Sequence, residues 1–475
     1  MSARSSGGLF RRKPVEAFVT ETSPDTEGGE LERSIGLFQL TMFGVGATIG
    51  TGIFIVLTEA VPEAGPAVIF SFVLAGITAA LTAVCYAELA STIPVSGSSY
   101  SYTYATLGEI TAFGVAACLL LEYGVSSAAV AVGWAQYLNE LFSSVFGFRL
   151  PDAIVAAPGE GGIFNFPAIV LVTLCCLLLV RGTRESATAN TIMVLIKLAV
   201  LIFFVIIAFT AFDGANFTPF APFGIAGIGV AASSIFFTFI GLDAVSTAGE
   251  EVHNPRRTLP LAILFATIIV TIVYIFVAVA AVGAQRYQEF EGQAAGLAVI
   301  LSNITGSDWA PAVLSAGAII SIFSVTLVTL YGQTRILFAM SRDGMLPEIF
   351  HRINPTTLVP VRNTLIVATF VGILAGFVPL TVLIDLTSMG TLVAFTVVSI
   401  GVIILRRTQP DLPRGFRVPF YPVTPVLSAA FALYIMSQLP YSTFGLFAVW
   451  LGVAAVIYFS YSRGHSRLAN TGRAE

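Results

Sequence analysis

Apolar stretches long enough to cross a hydrocarbon core recur along the whole chain, and a core of ~30 Å takes about 20 helical residues. Read between polar or turn-rich breaks, they predict an all-α membrane protein of twelve transmembrane helices. The approximate spans are 36 to 58, 66 to 90, 108 to 138, 164 to 181, 188 to 212, 226 to 249, 258 to 283, 309 to 341, 363 to 379, 382 to 405, 424 to 439 and 443 to 461. The composition agrees, with 56% hydrophobic and 11% charged residues. The third and eighth runs exceed what an upright helix needs, so tilt or extension past the bilayer is expected there.

Orientation follows from the basic residues, which are retained on the cytoplasmic side. Arg4, Arg11, Arg12, Lys13, Arg33, Arg181, Arg184, Arg256, Arg257, Arg335, Arg342, Arg352, Arg362, Arg406, Arg407, Arg414, Arg417, Arg463, Arg467 and Arg473 fall on one side, and only Arg149 and Arg286 on the other. Both termini are therefore expected in the cytoplasm of a multi-pass plasma membrane protein. Residues 1–34 form a polar tail expected to be mostly disordered and uncleaved, 35–461 the membrane domain, and 462–475 a second cytoplasmic tail. Cys85, Cys118, Cys175 and Cys176 lie in apolar spans and read as small core residues.

The first span contains GVGATIGTGIF, with Gly44, Gly46, Gly50 and Gly52 close together. Each glycine costs a helix ~1 kcal/mol against alanine, so the helix is weakest where lipid demands that it be intact. The sixth span weakens likewise at FFTFIGLD, Phe236 to Asp243. Such glycines serve either close helix packing or a deliberate break. Spans one to five (about 36–212) and six to ten (about 226–405) have nearly equal lengths, each opens with a weakened helix, and the two units start on opposite sides. That is the arrangement of an inverted repeat whose paired discontinuous helices meet at the midplane, with two further helices at about 424–461. Free amides around Gly50, Thr51 and Gly52 suit a carboxylate, and unpaired carbonyls near Thr48 and Phe237 to Ile240 suit an ammonium. Together they match an amino acid zwitterion.

Four motifs stand in order: GATIGTGIF, YAELASTIPVSGSSYSY, FFTFIGLDAVSTAGEEVHNPRRTLP and GQTRILFAMSRDGMLP. On these the chain resembles the APC (amino acid, polyamine and organocation) superfamily, close to the prokaryotic relatives of the cationic amino acid transporters, over roughly residues 31 to 461. The resemblance implies a five-plus-five inverted repeat with broken first and sixth helices. Backbone groups of Thr48, Ile49, Gly50, Thr51 and Gly52 would hold the substrate head group, with Phe237, Thr238, Phe239, Ile240 and Gly241 completing the site and the Phe237 ring as outer gate. It also implies that Lys197 stands where sodium-coupled relatives bind a cation, with Ser324 and Thr326 as its hydroxyl partners.

Lys197 is one of only two lysines, and the other, Lys13, lies in the tail. Nine helical residues at ~1.5 Å rise put it roughly 14 Å into the bilayer, where a charged lysine costs ~2.5 to 3.5 kcal/mol. It reads either as a buried structural cation or as a group that gains and loses a proton. Glu122, in the third span, either approaches the substrate side chain, favouring cationic substrates, or is tied within the bundle. Glu88, Glu250, Glu251, Arg335, Arg342 and Asp343 sit near cytoplasmic span ends, where solvated ion pairs are the ordinary reading.

His253, His351 and His465 have no metal-ligand spacing, and neither lysine sits in a GxxxxGK[ST] loop, so no metal, cofactor or direct ATP-driven pumping is expected. No catalytic constellation suggests an enzyme, no filter sequence a channel, and nothing points to nucleic acid or an obligatory protein partner. The expected function is a secondary active transporter importing amino acids by alternating access. Proton coupling would run through Lys197; exchange or uniport without protons is the alternative, and an ion channel a remote one.

Overall fold

The computed structural model describes residues 9–14, 35–50, 52–93, 97–182, 187–247, 252–355, 357 and 359–468. Thr51 and, among the charged residues named above, Arg4, Arg33, Arg184, Glu250, Glu251 and Arg473 lie outside them. The described residues are helical and form no strand; an isolated parallel bridge joins Ile35 to Val252. Eight helical stretches are long and apolar enough to cross a membrane: Gly52–Thr92, Glu109–Phe146, Asn190–Thr210, Gly224–Ser246, Pro255–Ala284, Trp309–Arg342, Leu380–Thr408 and Tyr441–His465. Shorter apolar helices run over Leu37–Thr48, Phe166–Val180, Gly296–Thr305, Val361–Phe377 and Val423–Ser437. Gly296–Thr305 lies outside the runs expected from sequence. At ten residues it is too short to register as a span.

The helices that position the site are α1 (Leu37–Thr48), α2 (Gly52–Ala64), α3 (Val68–Thr92), α4 (Ser98–Thr106), α5 (Glu109–Leu120), α6 (Ser126–Phe146), α7 (Phe166–Val180), α8 (Ala187–Thr210), α9 (Gly224–Ile235), α10 (Ala244–Thr247), α11 (Pro255–Ala284), α12 (Gly296–Thr305) and α13 (Trp309–Arg342). A single π-helical turn, Leu121–Val125, joins α5 to α6 and carries Glu122. Depth in the bundle differs sharply between helices. In Glu109–Phe146, 94% of the apolar window is buried within protein, against 22% in Tyr441–His465. The first therefore runs through the middle of the molecule and the second along its lipid-facing edge.

Helix α8 makes the logic visible within one element. Val194, Lys197, Leu201, Phe204 and Ala208 are buried at alternating spacings of three and four, while Ile192, Leu195, Ile202, Ile206 and Phe209 are exposed. One face turns inward and the other toward lipid, and Lys197 lies on the inward stripe. Close approach depends on small residues. Helix α8 packs on α1 at Gly46, where an added Cβ would come within 2.5 Å of Val194 Cγ2. Gly76 of α3 admits Thr271 of α11 in the same way, at 2.6 Å.

Inside the expected N-terminal tail, Leu9–Pro14 is held on the helix ends. Ile110 N donates to Leu9 O, Glu109 N to Arg11 O and Lys13 N to Tyr104 O. Lys13 is buried, with Nζ 3.4 Å from Asp343 Oδ1, and Arg11 faces Glu109 at 3.8 Å. The start of the expected C-terminal tail joins the same cluster. Ser466 and Tyr458 both donate to the Glu109 carboxylate, and Ser462 donates to Met345 O. Ion pairs in the first segment and hydroxyl hydrogen bonds in the second outweigh the polar composition of both.

Glu88 differs from the solvated pair expected at a span end. Only 1% exposed, it accepts from Arg406 Nε at 2.8 Å and Val418 N at 2.7 Å, with Arg414 Nε at 3.3 Å. The loop after Leu380–Thr408 folds back over it and excludes water.

Candidate functional site

The first break lies where the glycines weaken the helix. Helix α1 ends at Thr48, Ile49 departs from helical geometry at φ −74 and ψ 77, and α2 begins at Gly52. Helix α9 ends at Ile235, continues as a 3₁₀ turn over Phe236–Phe239, and becomes extended at Ile240 before α10 resumes at Ala244. Gly241 there has φ +91, a conformation that favours glycine.

The two breaks touch backbone to backbone. A Cβ on Gly52 would lie 2.8 Å from Thr238 Cα, and one on Gly241 would lie 2.6 Å from Ala47 O. Neither position admits a side chain without moving main chain. The carbonyls at the junction are less free than the sequence suggests. Thr48 O accepts from Gly50 N at 2.8 Å, and Phe237 O from Ile240 N at 3.3 Å. The Tyr274 hydroxyl of α11 also stands 2.9 Å from both Thr48 O and Thr238 O. A tight turn and a neighbouring helix thus fill part of the hydrogen-bonding capacity that the breaks release. The Thr238 hydroxyl has no hydrogen-bond partner among the described residues.

A cavity opens beside the junction, lined by Ala47, Thr48, Gly50 and Gly52 from the first break and Phe237, Ile240 and Gly241 from the second. Its other walls are Glu122, Tyr123, Ser126 and Val130 from the π turn and α6, with Val325 and Thr329 from α13. Of the sequence-derived set, Thr48, Gly50, Gly52, Phe237, Ile240, Gly241 and Glu122 line it. Ile49, Thr238 and Phe239 are buried at the junction without lining the cavity, and Thr51 lies outside the described residues. Phe236 and Phe239 pack edge-on against Phe395 and Tyr274. Phe237, between them, turns to the cavity.

Glu122, on the cavity wall, lies beside a second buried acid, Asp243, which does not line the cavity. Asp243 Oδ2 accepts from Tyr123 at 2.9 Å and from Ser98 at 3.1 Å. The Glu122 carboxyl neighbours Asp243 and the Thr391 hydroxyl, yet neither of its oxygens makes a well-formed hydrogen bond among the described residues. The π turn explains its direction, since the extra residue rotates the helix locally and aims Glu122 at the cavity.

On the far side of α1, Lys197 Nζ donates to Gly46 O at 2.9 Å, two residues before Thr48. Ser324 is buried on α13, and Thr326 donates to Ile322 O within its own helix. Sequence reasoning missed Tyr274, Tyr123, Ser98, Ser126 and Thr329. An aromatic or hydroxyl residue in an apolar span ordinarily reads as core, and Ser98 lies in a polar stretch between two spans; only chain topology brings these residues to the junction or to Asp243. Among the described residues no cluster of His, Cys, Asp and Glu could hold a metal.

The amino acid permease family model matches residues 35–466, nearly the whole helical part of the chain. The chain belongs to this family. It is 43% identical to the methylthioribose transporter of Bacillus subtilis (strain 168), over 97% of this chain and 99% of that protein. The branched-chain amino acid permease of the same organism is 41% identical over the same shares. Cationic amino acid transporter 4, vacuolar, of Arabidopsis thaliana is 35% identical over 85% of this chain and 68% of its own length. The resemblance drawn from the motifs is thereby borne out, and the protein is a multi-pass membrane transporter rather than an enzyme.

Proposed function

We propose that the chain is a secondary active transporter that imports amino acids across the plasma membrane by alternating access, with proton coupling through Lys197. In this reading it has twelve spans with cytoplasmic termini, and a five-plus-five inverted repeat whose broken helices form the site. The carrying observation is the contact between the two breaks beside the cavity, with the Lys197 ammonium on Gly46 O just before the first break. The amide end of α2 receives the carboxylate, the carbonyl ends of α1 and the Phe236–Phe239 turn receive the ammonium, and Phe237 covers the side chain. A protonated Lys197 neutralises carbonyl dipoles of α1 and holds it in the substrate-ready arrangement. Losing the proton releases that hold and favours unloading.

The named cargo differs among the relatives. Bacterial relatives of almost equal identity are named for branched-chain amino acids and for methylthioribose, and plant relatives for cationic amino acids. The Glu122 carboxyl on the cavity wall supports acceptance of a cationic side chain. Exchange without protons is the second reading, favoured by the ordinary lysine-to-carbonyl bond that a static cation would also make.

The test is uptake into proteoliposomes of labelled leucine, alanine and arginine, with and without an imposed inward proton gradient and in the absence of sodium. Concentrative uptake that collapses with the gradient is expected. Saturable exchange indifferent to the gradient would select the second reading, and no uptake of any amino acid would refute both.

A further inference from the structure

Tyr274 is fully buried in α11, its ring held edge-on by Phe72 at 6.2 Å and Phe239 at 5.4 Å. Packing thus fixes where the hydroxyl sits. It stands 2.9 Å from the carbonyl oxygen of Thr48, the last helical residue before the first break, and 2.9 Å from that of Thr238 in the second. A phenol carries a single proton, so it serves one carbonyl fully or both in part. Without it, two electron-rich oxygens from separate helices would face each other in a dry interior with less to hold them together.

We infer that Tyr274 is a positioning residue for the amino acid site: its hydroxyl fixes the spacing of the two carbonyl ends that receive the substrate ammonium. The inference rests on the reading of the broken helices as the head-group site. The ring contributes packing that phenylalanine would reproduce, and the hydroxyl contributes only the bridge. An ammonium that enters between the two ends then finds them already placed, and the cost of drawing them together is not charged against binding. The bridge also ties the two half-helices to α11, so a shift of one break is transmitted to the other.

Tyr137 provides the matched control. It too is buried, and its hydroxyl donates at 2.8 Å to Phe54 O, inside α2 and beyond the break. Purified wild type, Tyr274→Phe and Tyr137→Phe would be compared by equilibrium binding of labelled leucine and arginine, with the ligand-free melting temperature of each recorded. For Tyr274→Phe we expect the Kd to rise about 10-fold, the effect of losing one buried hydrogen bond. Tyr137→Phe should bind within about twofold of wild type while melting no higher than Tyr274→Phe. Three results would overturn the inference: an unchanged Kd in Tyr274→Phe, an equal loss in Tyr137→Phe, or failure of Tyr274→Phe alone to accumulate, which would assign the hydroxyl to folding. If wild type itself binds no amino acid, the head-group reading falls, and the inference with it; if wild type binds and only the comparison fails, the reading survives.

Discussion

Gly52 and Thr238 meet main chain to main chain, leaving 2.8 Å between the position of a Cβ on Gly52 and Thr238 Cα. This contact, with Gly241 against Ala47 O, makes two interrupted helices into one structural unit. A side chain at position 52 would push the breaks apart and favour re-formation of a continuous helix. Gly52→Leu is therefore expected to insert in the membrane and lose amino acid binding by about 100-fold or more, the consequence of a steric cost of a few kcal/mol. Binding measured on purified protein checks this, and normal affinity would relocate the site.

Glu122 reaches the cavity because a π turn aims it there, and its oxygens lack well-formed hydrogen bonds among the described residues. We propose that an acid so placed receives a cationic substrate side chain. Glu122→Gln is expected to weaken arginine and lysine binding by about 10-fold and leucine binding by less than about threefold, the range for a charge-assisted hydrogen bond. Competition against one labelled substrate measures both. Equal losses for cationic and neutral substrates would assign Glu122 to holding the bundle together beside Asp243.

The buried Glu88 carboxylate holds two guanidinium groups and the Val418 amide. Removing its charge leaves the almost fully buried Arg414 side chain with backbone carbonyls alone, and leaves Arg406 with Val418 O and the Tyr421 ring but no carboxylate. Glu88→Gln should destabilise the protein by about 3 to 5 kcal/mol, the range for breaking a buried pair, and lower the melting temperature of detergent-purified protein by several degrees. Substrate affinity of the folded fraction should be unchanged, since the network lies away from the cavity walls. An unaltered melting temperature would mean that water replaces the pair.

Much of this arrangement is legible in the sequence because lipid constrains it so strongly. Apolar runs of about 20 residues become helices since only a helix satisfies its backbone within a single segment there, and closely spaced glycines mark the break because they are costly in a helix. In α8 both faces are apolar, so Lys197 alone marks the inward one. Legibility ends where long-range packing decides. Tyr274 carries no local signal distinguishing it from other buried aromatics, and the approach of Glu122 to Asp243 depends on how the π turn faces the second break. The ordering of Leu9–Pro14 rests on acids more than 90 residues away, Glu109 and Asp343. A polar composition alone gives no hint of them.

Lys197 donates to Gly46 O beside the first break, where we propose that it couples protons to amino acid movement. Methionine is similar in length to lysine, one atom shorter, but binds no proton. The most direct measurement is proton-gradient-driven accumulation of labelled amino acid by Lys197→Met in sodium-free proteoliposomes, run beside exchange across the same vesicles. We expect accumulation to be lost while exchange persists, because the backbone proposed to receive the head group is left in place. Full proton-driven accumulation by Lys197→Met would contradict the account and leave Lys197 as a buried structural cation.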